Sequence, residues 1–169
     1  MTASPLGRYA LPGDGEETVE VHLLGTPLEL LVSAREHHDD LTREFRLLSL
    51  AGTVSGRDAP VRLVELTEIL GHRYGAATSR RDQEVDEALA RGETTMDLVY
   101  EVPPGVSEAA VALDGLMREA DDFCAAAQLM TLERDPLIKQ FASWYLSQFV
   151  VQCAGGAPVP WTGPLSLEP

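Results

Sequence analysis

The feature that most constrains the fold is a helical pattern of inward-facing positions that occurs twice in the chain. In the first copy these positions, spaced 3-4-3-4-3, are Leu31, Ala34, His38, Leu41, Phe45 and Leu48. Adding 82 to each number gives Leu113, Leu116, Ala120, Phe123, Ala127 and Met130. This spacing is typical of the seam between packed helices. We therefore predict two long helices that present equivalent faces to one core.

The order of the predicted elements also repeats: a strand, a long helix, and a second helix begun by a proline. Alternating apolar residues predict strands over 18–24 and 96–102. Thr26–Pro27 predicts a capped start for the first long helix. Pro60 and the pair Asp135–Pro136 predict the starts of the two later helices. The repetition of element order favours an internal duplication.

We predict a mainly α (α+β) fold made of a tandem β-α-α repeat. The repeats span 18–76 and 95–153, and a short acidic helix over 79–92 connects them after a break at Gly75–Ser79. Large and small residues exchange between the copies, with Ala34 matching Leu116, so the two long helices can interdigitate. The expected product is a four-helix core carrying a small two-stranded antiparallel β ribbon.

One globular domain is expected over 18–153, between a flexible tail at 1–17 and a Pro-rich tail at 154–169. The terminal segments are rich in proline and glycine, which favour turns and extended chain over regular elements. Trp161 lies in the second tail, within "APVPWTGP". It is expected either to fold back onto the last helix or to dock, with its extended segment, into a partner's groove.

The net charge of -14 excludes a chain that binds nucleic acid through its phosphates, and it disfavours anionic membranes in the same way. No apolar run approaches the roughly 18–20 residues of a membrane span. The start of the chain lacks the cationic and apolar pattern of a signal peptide, so a cytoplasmic protein is expected. Arginine replaces lysine almost everywhere, Lys139 being the single exception, which indicates a GC-rich bacterial genome. An acidic chain of this kind suits a basic protein partner.

Four side chains of the first long helix form the candidate metal site: Glu36, His37, His38 and Asp40. Glu36–Asp40 and His37–Asp40 have the i, i+3 and i, i+4 spacing that lets ligands on one helix share an ion. Against this, adjacent histidines point about 100° apart around a helix, and the second copy keeps Asp121–Asp122 without a histidine. His38 also fits a buried histidine in the helical seam. A divalent metal is therefore the alternative to a chain without a cofactor.

No sequence motif identifies a reaction. The chain has no GxSxG, no Gly-rich phosphate loop and no cysteine beside a histidine signature. Cys124 and Cys153 lack CxxC spacing and are expected to be reduced and partly buried. The candidate partner-binding residues are Trp144, Trp161, Asp82 and Asp86. No catalytic residue is predicted, and a non-enzymatic role is favoured.

Several stretches together resemble a family of small uncharacterised proteins from high-GC Gram-positive bacteria. They are "VHLLGTPLELLVSAREHHDDLTREFRLL", "DLVYEVPPGVSEA", "EADDFC", "LMTL", "WYLSQFVVQ" and "PVPW", spread from Val19 to Trp161. Genes of that family accompany partner-switching regulators of sigma factors: anti-sigma kinases, their antagonists and phosphatases. The resemblance implies a regulatory setting and carries no catalytic residue over to this chain.

The expected function is thus a non-enzymatic cytosolic regulatory protein that binds another protein, in a setting such as sigma-factor partner switching. The alternative is a metal- or small-ligand-binding protein, which could include an enzyme, centred on the His/Asp/Glu cluster in helix 33–48. A homodimer that extends the two-stranded ribbon is a further arrangement open to the chain.

Overall fold

The computed structural model describes residues 17–54, 58–103, 105–126 and 133–167, with only the backbone of 73–78. Its elements in chain order are β1 (Val19–Pro27), α1 (Leu28–Leu50), α2 (Ala59–Ala90), β2 (Thr95–Val102), α3 (Val106–Ala126) and α4 (Pro136–Cys153). The prediction of a mainly helical α+β fold with a two-stranded sheet is confirmed. The predicted tail at 1–17 lies almost wholly outside the described residues.

The sheet is antiparallel, as expected, and its alternating residues explain which face is buried. Val19 pairs with Val102, Val21 with Tyr100, and Leu23 with Leu98. Except for the partly exposed Val19, these side chains are buried, because alternate residues of a strand point to one face. The helices cover that face. The intervening residues therefore form an outer face directed away from the core.

The junction of β1 and α1 differs from the predicted capped helix start. Thr26 and Pro27 belong to the strand, and the Thr26 hydroxyl donates to the carbonyl of Leu23 over 3.1 Å. Gly25 has φ 65 at an irregularity in the ladder between Leu23 and Thr26. The first N–H of the helix, that of Leu28, donates to the carbonyl of Thr94. The main-chain carbonyl just before β2 thus accepts the N–H at the start of α1. The sequence had predicted that the Thr26 side chain would cap this helix end.

The four long helices form a ring in which each packs against the next, and α4 also packs on α1. Ion pairs Arg35–Asp82 and Arg46–Glu68 join opposite ends of α1 and α2, so these helices are antiparallel. Helices α1 and α3, whose side chains we expect to interdigitate, lie diagonally across the ring. Their side chains still meet in its centre, where the Phe45 and Phe123 rings are 5.9 Å apart.

The predicted break at Gly75–Ser79 is wrong, because α2 continues through it as one helix of 32 residues. The predicted acidic connecting helix is therefore the second half of α2. The first half contributes Leu63 and Leu66 to a buried cluster with α1 and α3. The second half contributes Val85 and Ala88 to a separate cluster beneath the sheet. A single helix thus joins two apolar clusters, and the tandem repeat stays a prediction.

The start of α4 agrees with its sequence signal. The carboxylate of Asp135 accepts the N–H of Leu137 over 2.8 Å, and Pro136 occupies the first turn. Ile138, Phe141 and Phe149 of this helix are buried. This helix lies beneath β1. Its position relative to the strand determines which of its polar residues reach the strand.

Candidate functional site

The outer edge of β1 is closed by a side chain of α4. Gln152 accepts the N–H of His22 at Oε1 over 2.9 Å, and its Nε2 donates to the carbonyl of His22 over 2.8 Å. A single amide side chain therefore supplies both main-chain hydrogen bonds that a neighbouring strand would make. Gln152 is itself buried, and a buried amide requires such partners.

The C-terminal segment closes the same edge farther along. The N–H of Trp161 donates to the carbonyl of Leu24 over 3.0 Å. The Trp161 ring is buried 5.6 Å from Phe141 and 5.5 Å from Trp144, measured between ring centroids. The indole Nε1 of Trp144 donates to the carbonyl of Val159. The prediction that Trp161 folds back onto the last helix is confirmed, and residues 159–161 are part of the packed domain.

The outer edge of β2 differs from that of β1. Since Gln152 bonds both main-chain groups of His22, those groups point away from β2. Val99 is the register partner of His22, so its N–H and C=O also point away from the ladder. Alternation along the strand gives Glu101 the same orientation. Among the residues that the structure describes, no hydrogen bond reaches these edge groups of Val99 or Glu101.

The face beside this edge is acidic. Glu20 and Glu101 are register partners, so two carboxylates face each other across the outer surface of the sheet. Asp97 is exposed on the same strand, and its Oδ1 accepts the N–H of Gly25 over 2.7 Å. Like charges directly opposite each other destabilise a sheet. Glu20 lies 3.7 Å from the imidazole of His22, and the described chain places no ion-pair partner on Glu101.

The predicted metal cluster on α1 is spread around the helix. Glu36 and Asp40 are exposed, while His37 and His38 are partly buried. Asp40 pairs with Arg43 over 2.8 Å. Within the described ranges, no group of three or more His, Cys, Asp or Glu side chains is arranged to hold a metal ion. The metal-binding alternative stays a prediction without a converging set of ligands behind it.

His38 has the environment of a buried histidine in a helical seam. Its Nε2 lies 3.2 Å from the hydroxyl of Thr67 on α2. Burial lowers the pKa of His38, and Asp39 opposes that effect only in part. The ring is therefore held neutral and is hydrogen-bonded to another helix. This geometry supports packing of α1 against α2.

Two further pairs of polar side chains bond each other within the fold. Arg134 makes a bidentate ion pair with Asp121, with the shorter contact at 2.7 Å. The hydroxyls of Tyr145 and Tyr100 are 3.1 Å apart, and burial followed by the Tyr100 contact raises the pKa of Tyr145 well above its usual range. Burial, with the Asp121 carboxylate, raises the pKa of Cys124 to about 11, so its thiol is protonated at neutral pH.

The predicted partner-binding residues lie in different parts of the molecule. Asp82 is paired with Arg35, whereas Asp86, one turn along α2, is exposed. Trp144 is partly buried and Trp161 is buried, so neither indole is presented as a free surface. The structure therefore does not bring these four residues together. Their role in binding stays a prediction, and Asp86 is the most accessible of them.

Sequence reasoning missed both the closure of the β1 edge by Gln152 and the lack of a bonding partner, among the described residues, along the β2 edge. Gln148 and Gln152 continue the buried stripe of α4 around Phe149, and buried glutamines in that stripe were a usable signal for a backbone partner. The outward positions of Val99 and Glu101 follow from strand alternation. Whether a third segment covers their edge depends on tertiary packing, which alternation does not encode.

The chain matches no protein-family model, no curated protein and no solved structure.

In the described part of the chain, none of the helices has the length and apolar character needed to cross a membrane.

Proposed function

We propose that this chain is a non-enzymatic regulatory protein that acts by binding another protein along the outer edge of β2. The observation that carries the proposal is the contrast between the two edges. Gln152 and the N–H of Trp161 close the edge of β1, whereas no described residue bonds the edge groups of Val99 and Glu101. Proteins normally protect sheet edges, because an open edge is a template for a further strand. An edge left open beside a closed one suits strand addition by a partner.

The polar side chains inside the domain are compatible with a non-enzymatic role. His38, Tyr145 and Asp121 have perturbed or buried positions, but each bonds a neighbour within the fold. These contacts stabilise the scaffold that holds the sheet. The acidic surface suits a basic partner, and we place the protein in the cytosol. The sequence resemblance implies that partner-switching regulators of sigma factors are the setting.

Site-specific crosslinking tests this function. A photoreactive residue is introduced at Val99, and a matched variant carries it at Val111, which is exposed on α3. In an extract of the source cells, we expect one protein to crosslink at Val99 and not at Val111. The purified partner should then slow hydrogen exchange at the amides of Val99 and Glu101. Equal crosslinking at both positions, or a complex in which these amides exchange as in the free chain, contradicts the proposal.

A metal-binding assay tests the alternative function, in which the chain binds a metal or a small ligand at the α1 cluster. The purified chain is measured for bound divalent metal and for a thermal shift on adding Zn²⁺, Mn²⁺ or Mg²⁺, since a ligand that binds the folded state raises its stability. Stoichiometric metal that is lost in a His37→Ala and Asp40→Ala double variant would favour the α1 cluster. The protein-binding proposal expects no such shift.

A further inference from the structure

We infer that the open edge of β2 receives a cationic strand from another protein, with basic residues placed two positions either side of a small apolar residue. This inference rests on the proposed function and specifies the partner's chemistry. It follows from the side chains that flank the edge: Asp97, Val99 and Glu101 lie on one face of β2, at alternate positions. A strand added to that edge places its own alternate residues beside these three.

The charges on this face select the partner. Glu101 already faces Glu20 across the ladder, and no described cation pairs with it. A basic residue on an added strand would lie on the opposite side of Glu101 from Glu20, where it relieves the repulsion between the two carboxylates. A second basic residue four positions away would lie beside Asp97. The residue between them lies beside Val99, where a β-branched side chain fits best.

The same charges disfavour a second copy of this chain as the occupant. Two β2 strands paired antiparallel about Val99 would bring Asp97 of each copy beside Glu101 of the other. Each junction would then join like charges, in addition to the existing Glu20–Glu101 contact. A net charge of -14 on each copy adds to the repulsion. The edge is therefore matched to a basic partner and mismatched to itself.

The probe is a synthetic peptide, acetyl-TKTVTKT-amide, titrated into the full chain and followed by NMR at the amides of Val99 and Glu101. Its control is the charge-reversed acetyl-TETVTET-amide. We expect the basic peptide to shift these amides and to slow their exchange, and the acidic one to leave them unchanged. Peptides N-methylated at one alternate set of residues or at the other test the main-chain pairing. Only the set whose N–H groups face β2 should abolish binding.

Two double variants that change the net charge equally distinguish recognition at the β2 edge from non-specific electrostatic attraction to the acidic chain. Asp97→Asn with Glu101→Gln removes the charges at the edge, and asparagine retains the acceptor for Gly25. Asp86→Asn with Glu87→Gln removes two exposed charges on α2. The edge variant should weaken the peptide Kd about fivefold, as the loss of two cross-strand charge pairs requires. The α2 variant should leave it unchanged.

The inference is overturned if both double variants weaken binding equally, if the acidic peptide binds as well, or if concentrating the free chain alone protects the β2 edge. The last result would identify a second copy as the occupant. A native partner that protects Val99 and Glu101 without presenting a basic strand overturns the partner chemistry and leaves the proposed function standing. A basic peptide that binds elsewhere, with no partner protecting the edge, contradicts both.

Discussion

At the scale of single residues, Glu20 and Glu101 form an unfavourable pair on the exposed face of the sheet. They are register partners at a position where alternation brings side chains close together. A structure selected only for stability would place opposite charges there. We propose that the repulsion between the two carboxylates destabilises the free chain, and that a basic residue of the bound partner offsets it.

Glu101→Gln should therefore stabilise the free chain, by about 0.2–1 kcal/mol, because it removes a like-charge pair directly across the ladder. The same variant is expected to bind a basic partner less tightly. The free energy of unfolding, measured with denaturant, checks the first effect. Asp86→Asn is the control, since it removes one charge from an exposed helical site. An equal gain in both variants would attribute the effect to net charge alone.

The burial of His38 makes the stability of the chain depend on pH. Burial lowers its pKa in the folded state below the unfolded value of 6.5, so below about pH 6.5 the unfolded chain binds more protons at this position. The stability associated with neutral His38 is therefore complete above that pH and is lost as the pH falls. His38 thus contributes to the acid sensitivity of the fold through its burial.

His38→Leu should unfold within about 1 kcal/mol of the wild type at pH 7.5, since a lost hydrogen bond to Thr67 is offset by an apolar side chain in the seam. At pH 5 the wild type should lose more stability than the variant. Denaturant unfolding at the two pH values measures the difference. An identical pH dependence would contradict the assignment of this histidine, and a large loss of function with intact folding would favour the ligand-binding alternative.

At the scale of elements, the chain shows where local sequence signals suffice and where packing overrides them. Strand alternation predicted both strands and their buried faces, and Asp135–Pro136 predicted the start of α4. Gly75–Ser79 resembled a helix stop, but α2 continues because its two halves pack on two aligned apolar clusters. Thr26 resembled a helix cap but bonds within the ladder. Of the candidate site, the acidic residues can be read from the sequence, whereas the lack of a described bonding partner along the edge of β2 cannot.

The continuity of α2 predicts opposite effects on stability for two glycines, one inside the helix and one just after it. Gly71 is an exposed position inside the helix, and a Cβ added there would have no neighbouring atom within 4 Å, so Gly71→Ala should stabilise the chain by about 0.5–1 kcal/mol. Gly92 follows the same helix with φ 78, where Gly92→Ala should cost about 1–2 kcal/mol. Thermal unfolding of both variants measures the opposite signs. A destabilising Gly71→Ala would contradict a regular helix at that point.

The C-terminal segment also contributes to the closed edge, through the N–H of Trp161. Trp161→Ala should destabilise the chain by about 3–5 kcal/mol, because it empties a buried site between Phe141 and Trp144. Leu165→Ala, at an exposed position in the same segment, should change stability by less than about 0.5 kcal/mol. Denaturant unfolding compares the two. Equal and small effects would show that the segment is not part of the cooperative fold.

At the scale of the whole molecule, the helical bundle supports a small sheet, and the described residues cover the edge of β1 but not that of β2. The apolar cluster beneath the sheet, which includes Ile138, Phe141 and Phe149 of α4, holds that helix under β1, and Gln152 reaches the main chain of His22. The same arrangement presents β2 with the main-chain groups of Val99 and Glu101 directed outward. We propose that this difference between the two edges is the basis of partner binding.

Amide hydrogen exchange of the free, dilute chain, resolved by NMR, tests that claim most directly. The amide of His22, bonded to Gln152, and the ladder amide of Tyr100 should be protected. The amides of Val99 and Glu101 should exchange near the rates of an unstructured peptide and become protected only when a partner strand is added. Protection of Val99 and Glu101 equal to that of Tyr100 in the free chain would contradict an open edge and, with it, the proposed function.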